Sequence, residues 1–406
     1  MRRGTIEPEE AVRNSLARVR QQWLVGNDEL RAAAGGRPAE GPITVNDLDG
    51  ESLFYEYEVA DEEGVVATVR ASANEAIGMS LLSVQLGGRG WSPSEAVRHA
   101  EAYASQAYDA KPIRSELVCF SYPKVGVRVV LDIPGRGEAS VIIDVADGLP
   151  INNFGPDEPE GVTAYSYYRE LVEPTGDARA RRWAREAEER ETLYRVAPQL
   201  VEESFSADVS MREVLVPTFL ERSAYLARAL STQKVIRYGP RCSPHECFQL
   251  YAQETDVYCA VATGQMILDF YRWNYTQAEI AAAMNTGASG TDNPEQVAGY
   301  NALSRNTLVA TFDGTAAWSE AKAEIDANRP VKSGIPGHAR AVAGWMRTLS
   351  GIFIGGGAFY DRSLKVYDPW PWNADSCAGG AIVWEDWDAV EHTNWITVRH
   401  RTTNCG

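Results

Sequence analysis

The chain is poor in histidine, lysine and cysteine, and it has no long apolar run. Five histidines and six lysines are spread over 406 residues, so few imidazoles are available as a catalytic base. The acidic residues leave a net charge of −17, which argues against nucleic acid or an anionic membrane as the main partner. No stretch approaches the roughly 18 uninterrupted apolar residues of a membrane span. The opening segment "MRRGTIEPEEAVRNSLARVRQQWLVG" lacks the apolar centre of a secretory signal. The expectation is a soluble cytoplasmic protein, unless a leader was removed. Six cysteines, at 119, 242, 247, 259, 377 and 405, are too few for a disulfide scaffold at this length. Cys242 and Cys247 flank His245 in "RCSPHECF", but the spacing fits no zinc motif and no second ligand cluster accompanies it. A structural loop or an optional disulfide is the reading there, with no metal and no cofactor expected.

What is present divides the chain in three. A length of 406 residues is long for one core. From about 43 to 150 short alternating strands ("SLFYEYEV", "VVATVRASA", "VRVVLDI", "ASVIIDVADG") surround one helix, "SPSEAVRHAEAYASQAY", with Ser92 or Ser94 as N-cap. Residues 1–160 thus read as a smaller α+β domain, in which His99 has no nucleophile beside it. Residues 161–238 read as a charged helical connector whose run "GDARARRWAREAEERETLYR" has the look of a solvated face. Residues 239–406 place helices first and strands second. The helices are 258–272, "TQAEIAAAM" with a Thr276/Glu279 capping box, "NPEQVAGYNALSR" with Asn293 as N-cap, and "AWSEAKAEIDAN". Strands follow from Pro330 onwards.

The chemistry concentrates in that last part. Cys259 opens the helix at 258–272; if Asp256 caps it, the thiol lies on the first turn, where unpaired N–H groups and the helix dipole favour an anion. A thiol so placed, beside an imidazolium, has a lowered pKa. Gly264 in mid-helix implies a close approach by another backbone. His338 enters a strand directly after Gly337, at a sheet edge where it can face the helix start as the base. Asp368 ends a later strand before Pro369 and can fix the imidazole tautomer, shielded by Trp370 and Trp372. Gln253, six residues before Cys259, offers an amide to an oxyanion together with the Cys259 N–H. His392 and His400 lack such a setting, and Trp345 reads as core. The glycine-rich "NTGASGTDNPEQ" and the segment "GIFIGGGAFYDR" read as a surface loop and a hairpin; either would border the cleft only if the fold brings it there.

Gln253-x5-Cys259 at a helix start, Gly337-His338 entering a strand and a strand ending in Asp368-Pro369 resemble the papain-like cysteine peptidases. The closer likeness is to the bacterial and archaeal C39-like branch, which has aspartate as third member. The resemblance covers roughly residues 245–400. It implies Cys259 as nucleophile, His338 as base and acid, Asp368 as orienter and Gln253 as oxyanion donor, with a peptide or protein as substrate. Ala260 stands where plant-type papains have tryptophan, and His338 follows Cys259 by only 79 residues, so plant-type specificity does not carry over. No ATP-transporter segment accompanies the domain, which argues against a coupled leader-peptide exporter. The N-terminal unit resembles the propeptides of streptopain-like enzymes and PepSY-type modules, without a motif that carries residues across. Its position ahead of a peptidase gives the expectation of a zymogen-like arrangement, residues 1–235 acting as an intramolecular inhibitor or folding aid. The same triad also serves papain-like amidases and acyl transferases, and the cleft can survive in an inactive binding module.

Overall fold

The computed structural model describes residues 4–151, 164–202, 204–221, 232–236, 248–352 and 358–401. Cys242, His245, Cys247 and Cys405 lie outside the described residues, as does the Gly355–Gly357 part of the proposed hairpin.

Alternating apolar residues make the N-terminal half a sheet. After α1 (Pro8–Leu24) and α2 (Arg31–Gly35) come β1 (Arg37–Pro38), β2 (Ile43–Asn46), β3 (Ser52–Asp61), β4 (Gly64–Ser72) and β5 (Leu81–Leu86). Then α3 (Pro93–Tyr108) precedes β6 (Lys111–Ser121), β7 (Lys124–Ile133) and β8 (Gly137–Asp144). Ser92 is the cap of α3, its hydroxyl accepting from the Glu95 N–H. Ala100 and Ala104 of α3 pack on Val127, Val129 and Leu131 of β7. His99 is structural, its Nε2 lying 3.1 Å from the Gly148 carbonyl oxygen.

The connector carries α4 (Gly176–Val196), α5 (Val209–Glu221) and β9 (Thr232–Val235). Its charge run is not a solvated face. Arg179, Arg182 and Glu186 are buried. Arg182 bridges to Asp386 and lies 3.1 Å from Asp388 and 3.4 Å from Asp361. Glu186 takes the Ser80 N–H at 3.0 Å. These charges are inside because α4 lies between the two halves, and each one buried there has an opposite charge or a hydrogen-bond partner to face, Arg179 donating to the Ile77 and Asp388 carbonyls.

The C-terminal part begins with α6 (Cys259–Phe270), α7 (Gln277–Ala283) and α8 (Asn293–Leu303), then β10 (Leu308–Asp313) and α9 (Trp318–Asp326). The strands β11 (Val331–Ile335), β12 (His338–Ile352), β13 (Ala358–Asp368), β14 (Ala381–Asp386) and β15 (Asn394–His400) complete it. The capping box of α7 is present, with Thr276 and Glu279 exchanging bonds. Asp292, not Asn293, caps α8, because its carboxylate reaches the Glu295 N–H. Gly264 faces side chains rather than backbone: an added Cβ would meet Met284 Cε at 2.9 Å. Met266, Ile267 and Leu268 of α6 share a core with Val342, Val366 and Ile396 of the sheet. The 285–296 loop closes on itself through a Gly287–Gly290 bridge and the Thr286–Thr291 hydroxyl pair.

A single sheet runs through both halves, in the order β10-β15-β11-β12-β13-β14-β5-β4-β3-β2-β6-β7-β8. The seam is antiparallel β14–β5, with Ile382 opposite Leu86 and Glu385 opposite Ser83. Two cores cross it. Met346 and Trp384 pack with Val69, Val84 and Leu193, while Ile335, Trp370 and Val390 pack with Tyr122, Val125 and Tyr167. The architecture is α+β, with helices preceding an antiparallel sheet in the C-terminal part, except that β10, not expected from the sequence, enters the sheet between α8 and α9. Among the described residues no helix is long and apolar enough to cross a membrane.

Candidate active site

Cys259 is the first residue of α6 and is fully buried. The N-cap is Tyr258, and no side chain caps this end. Asp256 does not serve as cap; it lies in the turn before, where its carbonyl accepts from Gln253 Nε2 at 3.0 Å. The first turn therefore presents backbone N–H groups uncompeted by a capping oxygen, an arrangement that favours negative charge at the thiol or at an adjoining oxyanion. Cys259 and Ala260 pack directly with Ala339, the residue after His338.

His338 is placed by a tight turn. Ile335 and His338 are register partners across Pro336–Gly337, and Gly337 has φ +68°, a conformation that glycine adopts without strain. The imidazole emerges at the start of β12 with no exposed surface. Asp368 ends β13, where Pro369 cannot extend the ladder. Asp368 Oδ1 lies 2.7 Å from His338 Nε2 and also accepts the Trp370 N–H at 2.9 Å. That carboxylate makes Nε2 the protonated nitrogen, so Nδ1 carries the lone pair. Nδ1 is buried and has no hydrogen-bond partner among the described residues.

Gln253 is equally buried and is fixed beside the end of β13. Its N–H donates to the Pro369 carbonyl at 3.0 Å, and its carbonyl accepts from Asn373 N at 2.9 Å. Gln277 buttresses the segment from α7, donating to the Ala252 carbonyl at 2.6 Å and accepting the Glu254 N–H at 2.9 Å. The Gln253 amide donates to the carbonyls of Thr255 and Asp256, so both of its N–H bonds are engaged in shaping the loop into Cys259. Donation to an oxyanion would require at least one of them to be released.

The fold thus brings Cys259, His338, Asp368 and Gln253 into one place. It also seals that place. Ser121, ending β6, donates its hydroxyl to the Pro336 carbonyl at 3.3 Å, and Lys124, opening β7, is buried with its charge facing His338. Burial pushes His338 down to about 4; Asp368 opposes this, while Lys124 and Arg340 add to it. Burial pushes the Asp368 carboxyl up, but His338, Arg340 and the Trp370 N–H outweigh it and hold it below the usual carboxylate range. The imidazole is therefore neutral at neutral pH in this arrangement. Trp370 is buried and Trp372 half-buried. Their indole N–H groups approach Asp144 and Asp147 closely enough to favour the carboxylates, yet without normal hydrogen-bond geometry. Burial and the charge of Asp147 nevertheless raise Asp144 to about 7.

Arg340, Glu385 and Lys124 escaped the sequence reading. An arginine inside "HARAVAGW" was the available signal, since a cation amid apolar strand residues needs a buried counter-charge. Lys124 gave none, because its electrostatic influence on His338 depends on the shared sheet. Cys377 is disulfide-bonded, and among the described residues no group of histidine, cysteine and carboxylate side chains is arranged to hold a metal. His392 stacks on Trp387 and meets the Ser333 hydroxyl at 3.0 Å, and His400 lies edge-on to Tyr271.

Among curated proteins no sequence matches the chain. Solved structures give partial likenesses. The peptidase domain of Streptococcus ComA, described as a bi-functional ABC transporter of a quorum-sensing pathway, is 15% identical over 38% of this chain and 99% of its own, with a TM-score of 0.26. A double-glycine-motif protease from an AMS/PCAT transporter, solved with its leader peptide, is 14% identical over 42% and 99%, with a TM-score of 0.27. UfSP from C. elegans is 17% identical over 45% and 37%, with a TM-score of 0.29. The family model that matches is the Peptidase_C39 like family, over residues 246–389. That span begins before Gln253 and contains Cys259, His338 and Asp368, so it is over residues 246–389 that the chain is similar to the Peptidase_C39 like family.

Proposed function

We propose that the chain is a cysteine peptidase that hydrolyses peptide bonds at Cys259 and is held closed by its own N-terminal half. The observation that carries this is the His338 Nε2–Asp368 Oδ1 bond at 2.7 Å, with bare Nδ1 left as base and Cys259 packed against the next residue of the strand. Once the site opens to water and substrate, His338 gains basicity. Its Nδ1 takes the thiol proton, and the thiolate attacks the scissile carbonyl carbon. The oxyanion draws on the Cys259 N–H and, after rearrangement, on the Gln253 amide. Collapse breaks the C–N bond as Nδ1–H protonates the leaving amine. Water, deprotonated by Nδ1, then releases the acid and restores the thiol.

The support for closure is that all four residues are at most 1% exposed and that Ser121, Tyr122 and Lys124 lie against the turn and core that position them. The same burial favours a second reading, in which the site is kept without turnover. Brief iodoacetamide labelling of the full chain at mildly acidic pH, mapped by mass spectrometry, separates the two. Fast labelling confined to Cys259 and lost in His338→Ala is expected after Lys124→Glu loosens the β6–β7 turn. If Cys259 stays as slow as an ordinary thiol there, catalysis is excluded. Product analysis with added amines then distinguishes hydrolysis from acyl transfer.

A further inference from the structure

Arg340 stands two residues beyond His338 on β12, so both side chains leave the same face of the strand. The register Ala341–Tyr367, continued by one step, sets Arg340 opposite Asp368. The guanidinium is 1% exposed and is gripped by Glu385 on β14, Nη1 to Oε2 at 2.8 Å and Nη2 to Oε1 at 2.9 Å. Its Nη1 also lies 3.9 Å from Asp368 Oδ2. That oxygen is buried and, among the described residues, accepts no hydrogen bond; both bonds of the carboxylate fall on Oδ1.

Stability does not account for this pair. Burying two charges costs several kcal/mol, and an apolar pair of similar volume fills such a place as well or better. Position accounts for it. A carboxylate with one unsatisfied oxygen in a dry site tends to take up a proton, and a protonated Asp368 would no longer fix which nitrogen of His338 carries hydrogen. We propose that Arg340, oriented by Glu385, is a positioning residue of this site: its charge keeps Asp368 a carboxylate, and through it keeps His338 in the Nε2–H tautomer that leaves Nδ1 as base. The other charge facing His338 is Lys124, which disfavours the imidazolium without contributing to the tautomer. Tyr122 also borders Arg340, and its phenol remains neutral because burial pushes it far up. The inference rests on the catalytic reading only for its purpose, since the tautomer exists with or without turnover.

The test uses the full chain labelled with ¹⁵N-histidine, His338 being assigned by comparison with His338→Gln. Ring nitrogen shifts between pH 5 and 8 report the tautomer, and iodoacetamide, applied to each variant in the Lys124→Glu background, reports Cys259. Wild type and Arg340→Lys should show the fixed Nε2–H form. Arg340→Met and the double variant Arg340→Met/Glu385→Met should show a tautomer mixture, with Cys259 labelling slowed at least about tenfold. The double variant matters most, because it removes the ion pair without stranding a charge and should fold even if the single one does not. A wild-type tautomer and labelling rate in the double variant would overturn the proposal and reduce Arg340 to a counter-ion for Glu385. A tautomer change in a protein whose Cys259 stays unreactive even after Lys124→Glu would uphold the positioning role while overturning the peptidase reading.

Discussion

The β14–β5 seam predicts that the peptidase part does not fold without the rest. Consider residues 232–406, cut so that β9 keeps its place on β12. Removal of the N-terminal half uncovers Met346, Trp384, Ile335, Trp370 and Val390, all of which lie in cores shared across the seam. Fully burying a large apolar side chain is worth about 1.5–3 kcal/mol. If half of each is covered from across the seam, five of them lose roughly 4–8 kcal/mol. Asp361, Asp386 and Lys365 lose Arg18, Arg182 and Glu29, but they regain water and are left out of the sum. The loss compares with about 5–15 kcal/mol for the whole stability of a typical domain. The fragment should therefore lack a cooperative urea transition and a near-ultraviolet circular dichroism signal, and should self-associate on size exclusion. A monomeric fragment with a sharp transition would refute the reasoning and restore the picture of a detachable pro-region.

Three further outcomes follow from single groups. Gln277→Ala strips the Ala252 carbonyl and the Glu254 N–H of their partner, and should lower stability by about 1–3 kcal/mol in urea melts. Asp368→Asn retains an acceptor for His338 Nε2 but loses the charge that supports its protonation; the chain should fold, and NMR titration should find the His338 pKa lower still. The third concerns pH. Asp144 has its carboxyl raised to about 7, so the stability it contributes is fully present below about pH 4 and is lost as pH climbs through 7. His338, lowered to about 4, acts in the opposite sense: its neutral form is favoured on folding, and stability falls as pH drops from about 6.5 to 4. The two slopes offset one another in wild type. In Asp144→Asn, stability relative to wild type should rise by up to about 1.4 kcal/mol per pH unit between pH 4 and 7; parallel curves for the two proteins would contradict the assignment.

The local grammar of the chain was legible. Ser92 and the Thr276–Glu279 box cap the helices where short polar side chains reach free N–H groups, and α6 was marked by its apolar spacing. The candidate residues stood out as well, because Cys259, His338 and Asp368 each sit at the end of an element, where turn residues announce a side chain's placement, and Gln253 lies in the irregular segment leading into α6. What escaped was long-range. Asp256 resembled a cap, but the chain makes one more turn before α6 begins at Cys259. The "RARRWAREAEER" run resembled a solvated face because no local feature reveals that Asp361, Asp386 and Asp388 wait opposite it. The β6 and β5 strands, with polar residues in "KPIRSE" and "SVQL", gave too weak an alternation to be singled out. For the same reason the sequence could not show one sheet where it suggested separate domains.

The seam also sets a timetable for synthesis. Leu86 of β5 finds its partner Ile382 only 296 residues later. At about 5–20 residues per second, the ribosome leaves that edge waiting roughly 15–60 s. During this interval β5 is an open template for pairing with other chains. The helices α1 and α4, which emerge earlier and bury Val69 and Val84, are the parts able to keep the waiting half compact. Newborn chains should thus be most prone to aggregate just before β14 leaves the ribosome, and Cys259 is enclosed from the moment the final strands dock.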